Sequence, residues 1–225
     1  MIALGPFFLT LKLAVISTMI LFVVSLPMAY WLTFSTFRFK FLIEALVTLP
    51  LILPPSVLGF YLLVGLSPQN FIGRFFDDYF DLRLVFTFTG LVIASVIYSL
   101  PFMVQPFQSG LKMIPRSLAE TSYTLGKSKT TTFYRVLLPN MRAALITGTI
   151  LAFAHTIGEF GVVLMIGGSI PGETKVVSIA LYDEVQAMNY GNANMYAAIL
   201  LIFSFIVLVT VYMINHRYTK SEFRT

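Results

Sequence analysis

The chain contains no cysteine, only two histidines and few charges. Without cysteine there are no disulfides, no thiolate nucleophile and no Cys-ligated metal. Asp, Glu, Lys and Arg make up 11% of the 225 residues, against about 25% in ordinary soluble domains. With 57% hydrophobic residues and a mean hydropathy of +0.85, a water-soluble globule is excluded, because one core of this size cannot hide that much apolar surface. No phosphate-cradling Gly-rich loop followed by Lys-Ser or Lys-Thr occurs, so any driving energy must come from elsewhere. There is no internal repeat, which removes the two-halves symmetry of many secondary transporters.

What the chain does have is long uncharged stretches: Leu13 to Phe37, Ala45 to Gly73, Leu84 to Leu111, Ala143 to Gly172 interrupted only by Glu159, and Val185 to His216. A membrane-crossing helix needs roughly 20 apolar residues. The reading is an all-α polytopic membrane protein forming one transmembrane domain over residues 1–225. Its five spans are expected at about residues 8–33, 42–66, 84–107, 140–166 and 194–215. The first apolar run exceeds a signal-peptide core and no positive charge precedes it, so it is expected to stay in the mature protein. Residues 176–188 are apolar at helical spacing but carry Asp183 and Glu184; they read either as an outer interfacial helix or as a loop helix packed on the bundle.

Basic residues set the orientation. Arg38, Lys40, Lys112, Arg116, Lys127, Lys129, Arg135, Arg142, Arg217, Lys220 and Arg224 fall on one side, and Lys12, Arg74, Arg83 and Lys175 on the other. By the positive-inside rule the first group, with the C-terminus, is cytoplasmic and the N-terminus is outside. The net charge of +5 forms no basic face on a soluble domain, so no nucleic acid is expected as a partner.

The cytoplasmic segment 112–139 is too polar to face lipid. Ser117 followed by Glu120 has the spacing of a capping box, and Leu118, Ser122 and Leu125 recur at i, i+4 and i+7. Gly126 offers a left-handed stop, Ser128 or the following threonines can cap a second helix, and Pro139 is expected to end it. This predicts a helical hairpin, suited either to being gripped by a partner or to serving as a basic loop without one.

Ala119-Glu120-Thr121-Ser122, then Gly126, then Leu138-Pro139 resembles the cytoplasmic Glu-Ala-Ala loop of the permease subunits of binding-protein-dependent ABC importers. Thr121 and Ser122 stand where that family has two alanines. Leu49 to Pro55, Gly158-Glu159-Phe160-Gly161 and Ile170-Pro171-Gly172-Glu173-Thr174 resemble the molybdate and sulfate permeases of the same family, so the likeness covers nearly the whole chain. The resemblance implies a type I importer permease fold and a homodimer with its pathway at the interface. It also implies two cytoplasmic ATPases gripping the hairpins, an extracytoplasmic oxyanion-binding protein, a bacterial inner-membrane location and molybdate as cargo, with sulfate or tungstate as the alternative. Glu120, Thr121, Ser122, Gly126, Lys127 and Pro139 would then couple to the ATPase. ATP and magnesium would be held by that partner, and this chain would have no cofactor, metal or catalytic residue.

Pro50, Pro54 and Pro55 interrupt an apolar segment, and broken backbone at membrane depth requires protein or a water-filled cavity beside it. With Gly158 and Glu159 they are the candidates for lining or hinging a pathway. Glu159 follows Arg142 by 17 residues, about 25 Å along a straight helix, and a carboxylate there suits gating better than anion binding. His155 lies one turn earlier, within hydrogen-bonding reach of Glu159. A metal site would lack a second histidine, since His216 is far along the chain. Apart from Lys12 and Arg142 at the rims, the spans carry no Lys or Arg, which describes a weak-binding conduit whose selectivity sits in a separate receptor. The rival readings are a self-sufficient ion-coupled carrier or channel, and an intramembrane enzyme using His155 and Glu159.

Overall fold

The computed structural model describes the backbone of residues 4–222 and the side chains of residues 4–213. His216, Arg217, Lys220 and Arg224 therefore lie outside the residues whose side chains are described. Among the described residues the secondary structure is helical throughout.

The first helix, α1 (Gly5–Phe34), starts with Pro6 in its opening turn, where a missing N–H costs nothing. It is apolar all round but buries only one face, on which Ala14, Ser17, Ser25 and Ala29 alternate with Leu13, Leu21 and Leu32. Small residues at this spacing let a neighbouring helix come close, the usual basis of helix association in lipid. That neighbour is α5 (Phe88–Met113), which begins where Thr87 Oγ1 accepts from the Gly90 N–H at 3.3 Å. The helix α5 is the hub of the molecule. It packs on α1, on α2 (Lys40–Ile52), on α9 (Arg142–Gly158) and on α10 (Gly161–Gly167). The opposite face of α1 (Phe8, Leu11, Met19, Val23) and most of α12 (Tyr190–Glu222) expose large apolar side chains, as lipid-facing helices do.

Among the described residues, three helices are long and apolar enough to cross a membrane: α1, α5 and residues 190–213 of α12. Two further helix pairs pass the same test only together, each bent at a short break, and bring the crossings to five when each pair is counted as one span. The helix α2 meets α3 (Pro55–Leu66) at 116°, and the segment 129–140 meets α9 at 74°. Residues 42–66 are thus not one straight helix. Pro54 and Pro55 cannot donate to the carbonyls of Pro50 and Leu51, so the ladder stops at Leu53. Pro50 stays inside α2, where it removes one intrahelical donor without ending the helix. Residues 140–166 are likewise divided, with α9 ending at Gly158 and α10 starting at Gly161.

Of the two readings for residues 176–188, the packed one holds: α11 (Val177–Gln186) buries Val177, Ser178, Ile179 and Ala180 against α1 and α12. The Val177 N–H donates to Thr10 Oγ1 at 2.9 Å. Lys12 rests its ammonium over the Phe88 ring, 4.4 Å from the centroid.

Candidate functional site

Two places collect the residues singled out by sequence. The first is the hairpin, made of α6 (Arg116–Thr124), α7 (Lys129–Thr132), a π-helical turn (Phe133–Leu137) and α8 (Leu138–Asn140). The capping box is not formed. Pro115 occupies the cap with its ring-fixed φ of −55°, so the helix starts earlier than the Ser117 signal places it and Ser117 falls inside the first turn.

Gly126 closes α6 at φ +72°. Its N–H donates to the Tyr123 carbonyl at 2.9 Å and the Lys127 N–H to the Ser122 carbonyl at 3.1 Å. This is the two-bond Schellman arrangement that only a left-handed residue permits. Ser128 then caps α7, its Oγ accepting from the Thr131 N–H at 3.2 Å.

Buried Ser122 and buried Thr132 share a hydroxyl hydrogen bond of 2.8 Å that clips the two arms together. Ser122 therefore faces inward, while Glu120, Thr121, Gly126 and Lys127 stay exposed beside Leu118, Tyr123 and Leu125. An apolar surface of this kind outside the lipid-facing helices is what a protein partner covers.

Pro139 lies in the last turn of the second arm, which ends one residue beyond it at Asn140. The preceding turn widens to π geometry, in which the Leu138 N–H reaches the Phe133 carbonyl, and the helix runs on to Asn140. Asn140 Nδ2 donates to the Val136 carbonyl at 2.6 Å.

The second place is a cavity of about 570 Å³ where the two broken crossings meet, lined by Pro55, Ser56, Tyr98, His155, Gly158 and Phe160 together with Glu159 and Gly161. Gly161 makes the meeting possible: a Cβ there would stand 2.7 Å from the Pro55 Cβ. Pro54 and Pro55 are also exposed on the single chain, so its own bundle covers the break only in part.

His155 and Glu159 do not bond to each other. The Thr156 hydroxyl donates to the Ala152 carbonyl at 2.9 Å, so the proton shared with Ser99 over 3.1 Å comes from Ser99. His155 Nδ1 is then the donor to Ser99 Oγ at 3.2 Å, and in the uncharged ring Nε2 carries the lone pair. The imidazole stacks on Phe102, centroids 3.7 Å apart.

Glu159 is buried, and neither carboxyl oxygen has a hydrogen-bond partner. The Ser95 hydroxyl interacts with the carboxyl without reaching hydrogen-bond geometry. The Glu159 backbone is held instead: Ser178 Oγ donates to its carbonyl at 2.5 Å. Glu159 thus borders the cavity with its carboxyl oxygens buried rather than open to it.

Sequence reasoning missed Tyr98, Ser99, Thr156 and Ser56, which come from three helices and share no local pattern. Thr132 was equally hidden, because its role depends on Ser122 ten positions away. A small hydroxyl at the place of a motif alanine was the available signal.

Residues 15–224 match the family described as "Binding-protein-dependent transport system inner membrane component". The chain is 48% identical over 204 residues to the molybdenum transport system permease protein ModB of Azotobacter vinelandii, covering 91% of this chain and 90% of that one. It is 37% identical over 180 residues to ModB of Escherichia coli strain K12, covering 78% of each. Its identity to the sulfate transport system permease protein CysT of Salmonella typhimurium is 32% over 211 residues, covering 94% of this chain and 76% of that one. In fold it is similar to a chain of the inward-facing MetNI methionine ABC transporter, with a TM-score of 0.71, 16% identity and 94% of each chain covered.

Proposed function

The chain belongs to the family of binding-protein-dependent transport system inner membrane components, and from that premise we infer that it is the membrane-spanning permease subunit of an ATP-driven molybdate importer. The near full-length identity to the molybdenum permease of Azotobacter vinelandii carries this reading. The equally long but weaker likeness to the sulfate permease makes sulfate, and with it the similarly tetrahedral tungstate, the second reading.

The subunit breaks no bond in its cargo. Two copies stand side by side, each covering the other's exposed break at Pro54 and Pro55. Freed carbonyls at membrane depth need protein or cavity water beside them, and the single chain leaves this stretch open. The cavities at the breaks then lie along a central route. Their lining offers hydroxyls, an imidazole, backbone and the enclosed Glu159 but no Lys or Arg, so an oxyanion passes without being held tightly. Affinity resides in an extracytoplasmic binding protein.

The hairpin receives the force. Two cytoplasmic ATPases, which hold the ATP and magnesium, grip Glu120, Thr121, Gly126 and Lys127 on its exposed surface. Ser122 and Pro139 shape it from within. The clip and the Schellman corner make it one body. Movement then passes into α5 through Met113 and into α9 through the π turn and α8. Closure of the ATPases swings the hairpins and opens the route outward, and hydrolysis reverses the motion. The charge asymmetry supports a cytoplasmic hairpin and C-terminus with the N-terminus outside.

The test is uptake into vesicles holding the permease, the ATPase and internal ATP, with the binding protein outside. Labelled molybdate should accumulate only when all components are present, and should exceed labelled sulfate. Accumulation by the permease alone would overturn the reading, and a preference for sulfate would replace its cargo.

A further inference from the structure

The helix α4 (Phe71–Phe80) has no role in the route or the hairpin, and its two halves differ sharply. At 3.6 residues per turn, Phe71, Ile72, Phe75, Phe76, Tyr79 and Phe80 share one half of the wheel. Arg74, Asp77, Asp78 and the cap residue Asp81 share the other. Phe76 packs inward with Leu62, Leu66 and Leu84. The rest of the apolar half has no bundle to cover it: Phe71 is 85% exposed and Tyr79 75%, with Ile72, Phe75 and Phe80 also exposed.

We propose that this aromatic half lies in the lipid headgroup region on the side of the membrane opposite the hairpin, so that α4 is an interfacial anchor at the outer end of the bent α2–α3 crossing. Position argues for lipid. The helix precedes the N-terminal end of α5, whose other end, at Lys112, leads into the hairpin; α4 therefore lies at the opposite surface of the bilayer. Continuity argues the same way, since the exposed Phe60, Tyr61 and Val64 of α3 extend the apolar patch along a membrane-embedded helix. Aromatic side chains without lysine suit the interface belt, and the acidic arc suits water.

The attachment to α3 is stiff. Asn70 Nδ2 donates to the Val64 carbonyl at 2.6 Å, and Gly73 sits so close to the end of α3 that a Cβ would stand 2.1 Å from the Ser67 carbonyl oxygen. The depth of α4 therefore fixes the height of the α3 end. This holds whichever oxyanion is carried, so its test is independent of transport.

The chain has one tryptophan, so Trp31→Phe gives a silent background. Tyr79→Trp and Asp78→Trp are then made separately in the full chain and reconstituted into vesicles of phosphatidylcholine and phosphatidylglycerol. The acyl chains are brominated near either the glycerol end or the methyl end. The residue-79 indole should sit roughly 5–10 Å into the headgroup and acyl boundary, with blue-shifted emission quenched more by glycerol-end than by methyl-end bromine. The residue-78 indole should be quenched by acrylamide and by neither lipid. Acrylamide quenching at 79 equal to that at 78 would overturn the proposal. So would protection at 79 from both acrylamide and bromolipid, because a protein surface would then cover the face. If Tyr79→Trp does not assemble, Phe71→Trp supplies the same reading.

Discussion

Replacing Gly126 tests the force-transmitting role of the hairpin most directly. The residue sits at φ +72°, yet a Cβ built there meets nothing within 4 Å, so a substitution collides with no neighbour. What remains is backbone strain. A left-handed conformation costs an ordinary residue roughly 1–2 kcal/mol, which is a factor of about 5–30 in a conformational equilibrium. A β-branched side chain costs more, and asparagine less, because asparagine tolerates this region. Strain at the corner acts on two hydrogen bonds at once, from Gly126 to Tyr123 and from Lys127 to Ser122. It thereby acts on the seating of Ser122 against Thr132. In vesicles containing the complete transporter, uptake per ATP hydrolysed should fall in the order Gly, Asn, Ala, Val at position 126, with membrane insertion unchanged. The graded series separates strain from bulk. Full coupling in Gly126→Val would refute the mechanical argument, and equal loss in Asn and Val would show that side-chain presence, not backbone geometry, is what matters.

Two further substitutions probe the meeting of the broken crossings. Gly161→Ala puts a methyl 2.7 Å from the Pro55 Cβ, against a ring that cannot turn aside. Overpacking of this kind costs about 1–3 kcal/mol, and uptake should drop while capture of the ATPase by the hairpin, measured by co-purification, is retained. Unchanged uptake would mean that the breaks do not need to touch. Glu159→Met removes a buried carboxyl whose oxygens have no partner. An unsatisfied group of this sort costs roughly 1–3 kcal/mol, so the thermal midpoint of the purified permease should rise while uptake falls, the usual exchange at a functional position. A lower midpoint would reveal a partner for the carboxyl, and a higher midpoint with full uptake would reduce Glu159 to a structural residue.

Local chemistry decided what was legible in the sequence. Runs of uncharged residues from Leu13 to Phe37 and from Leu84 to Leu111 have one stable arrangement in lipid, because every backbone polar group must be satisfied within its own segment. The stop at Gly126 and the cap at Ser128 were equally readable, since each depends on the conformational preference of one residue and bonds within a few positions. So was the interruption at Pro54 and Pro55.

Only the tertiary structure decided which way these features face and what they meet. Proline announces a break but not its angle, and the 116° turn is set by α3 packing on α10 through Gly161 and Pro55. Ser117 and Glu120 carry a valid capping signal that lost to Pro115, whose fixed φ starts the helix earlier. His155 and Glu159 lie one turn apart, yet His155 bonds to Ser99 on another helix and Glu159 keeps an unpartnered carboxyl. The physical reason is common to the proline break and the His155–Glu159 pair, while Pro115 acts locally: composition and local propensity fix where a helix can exist, whereas the direction of a side chain follows from contacts between residues far apart in the chain, such as Ser99 and Thr156.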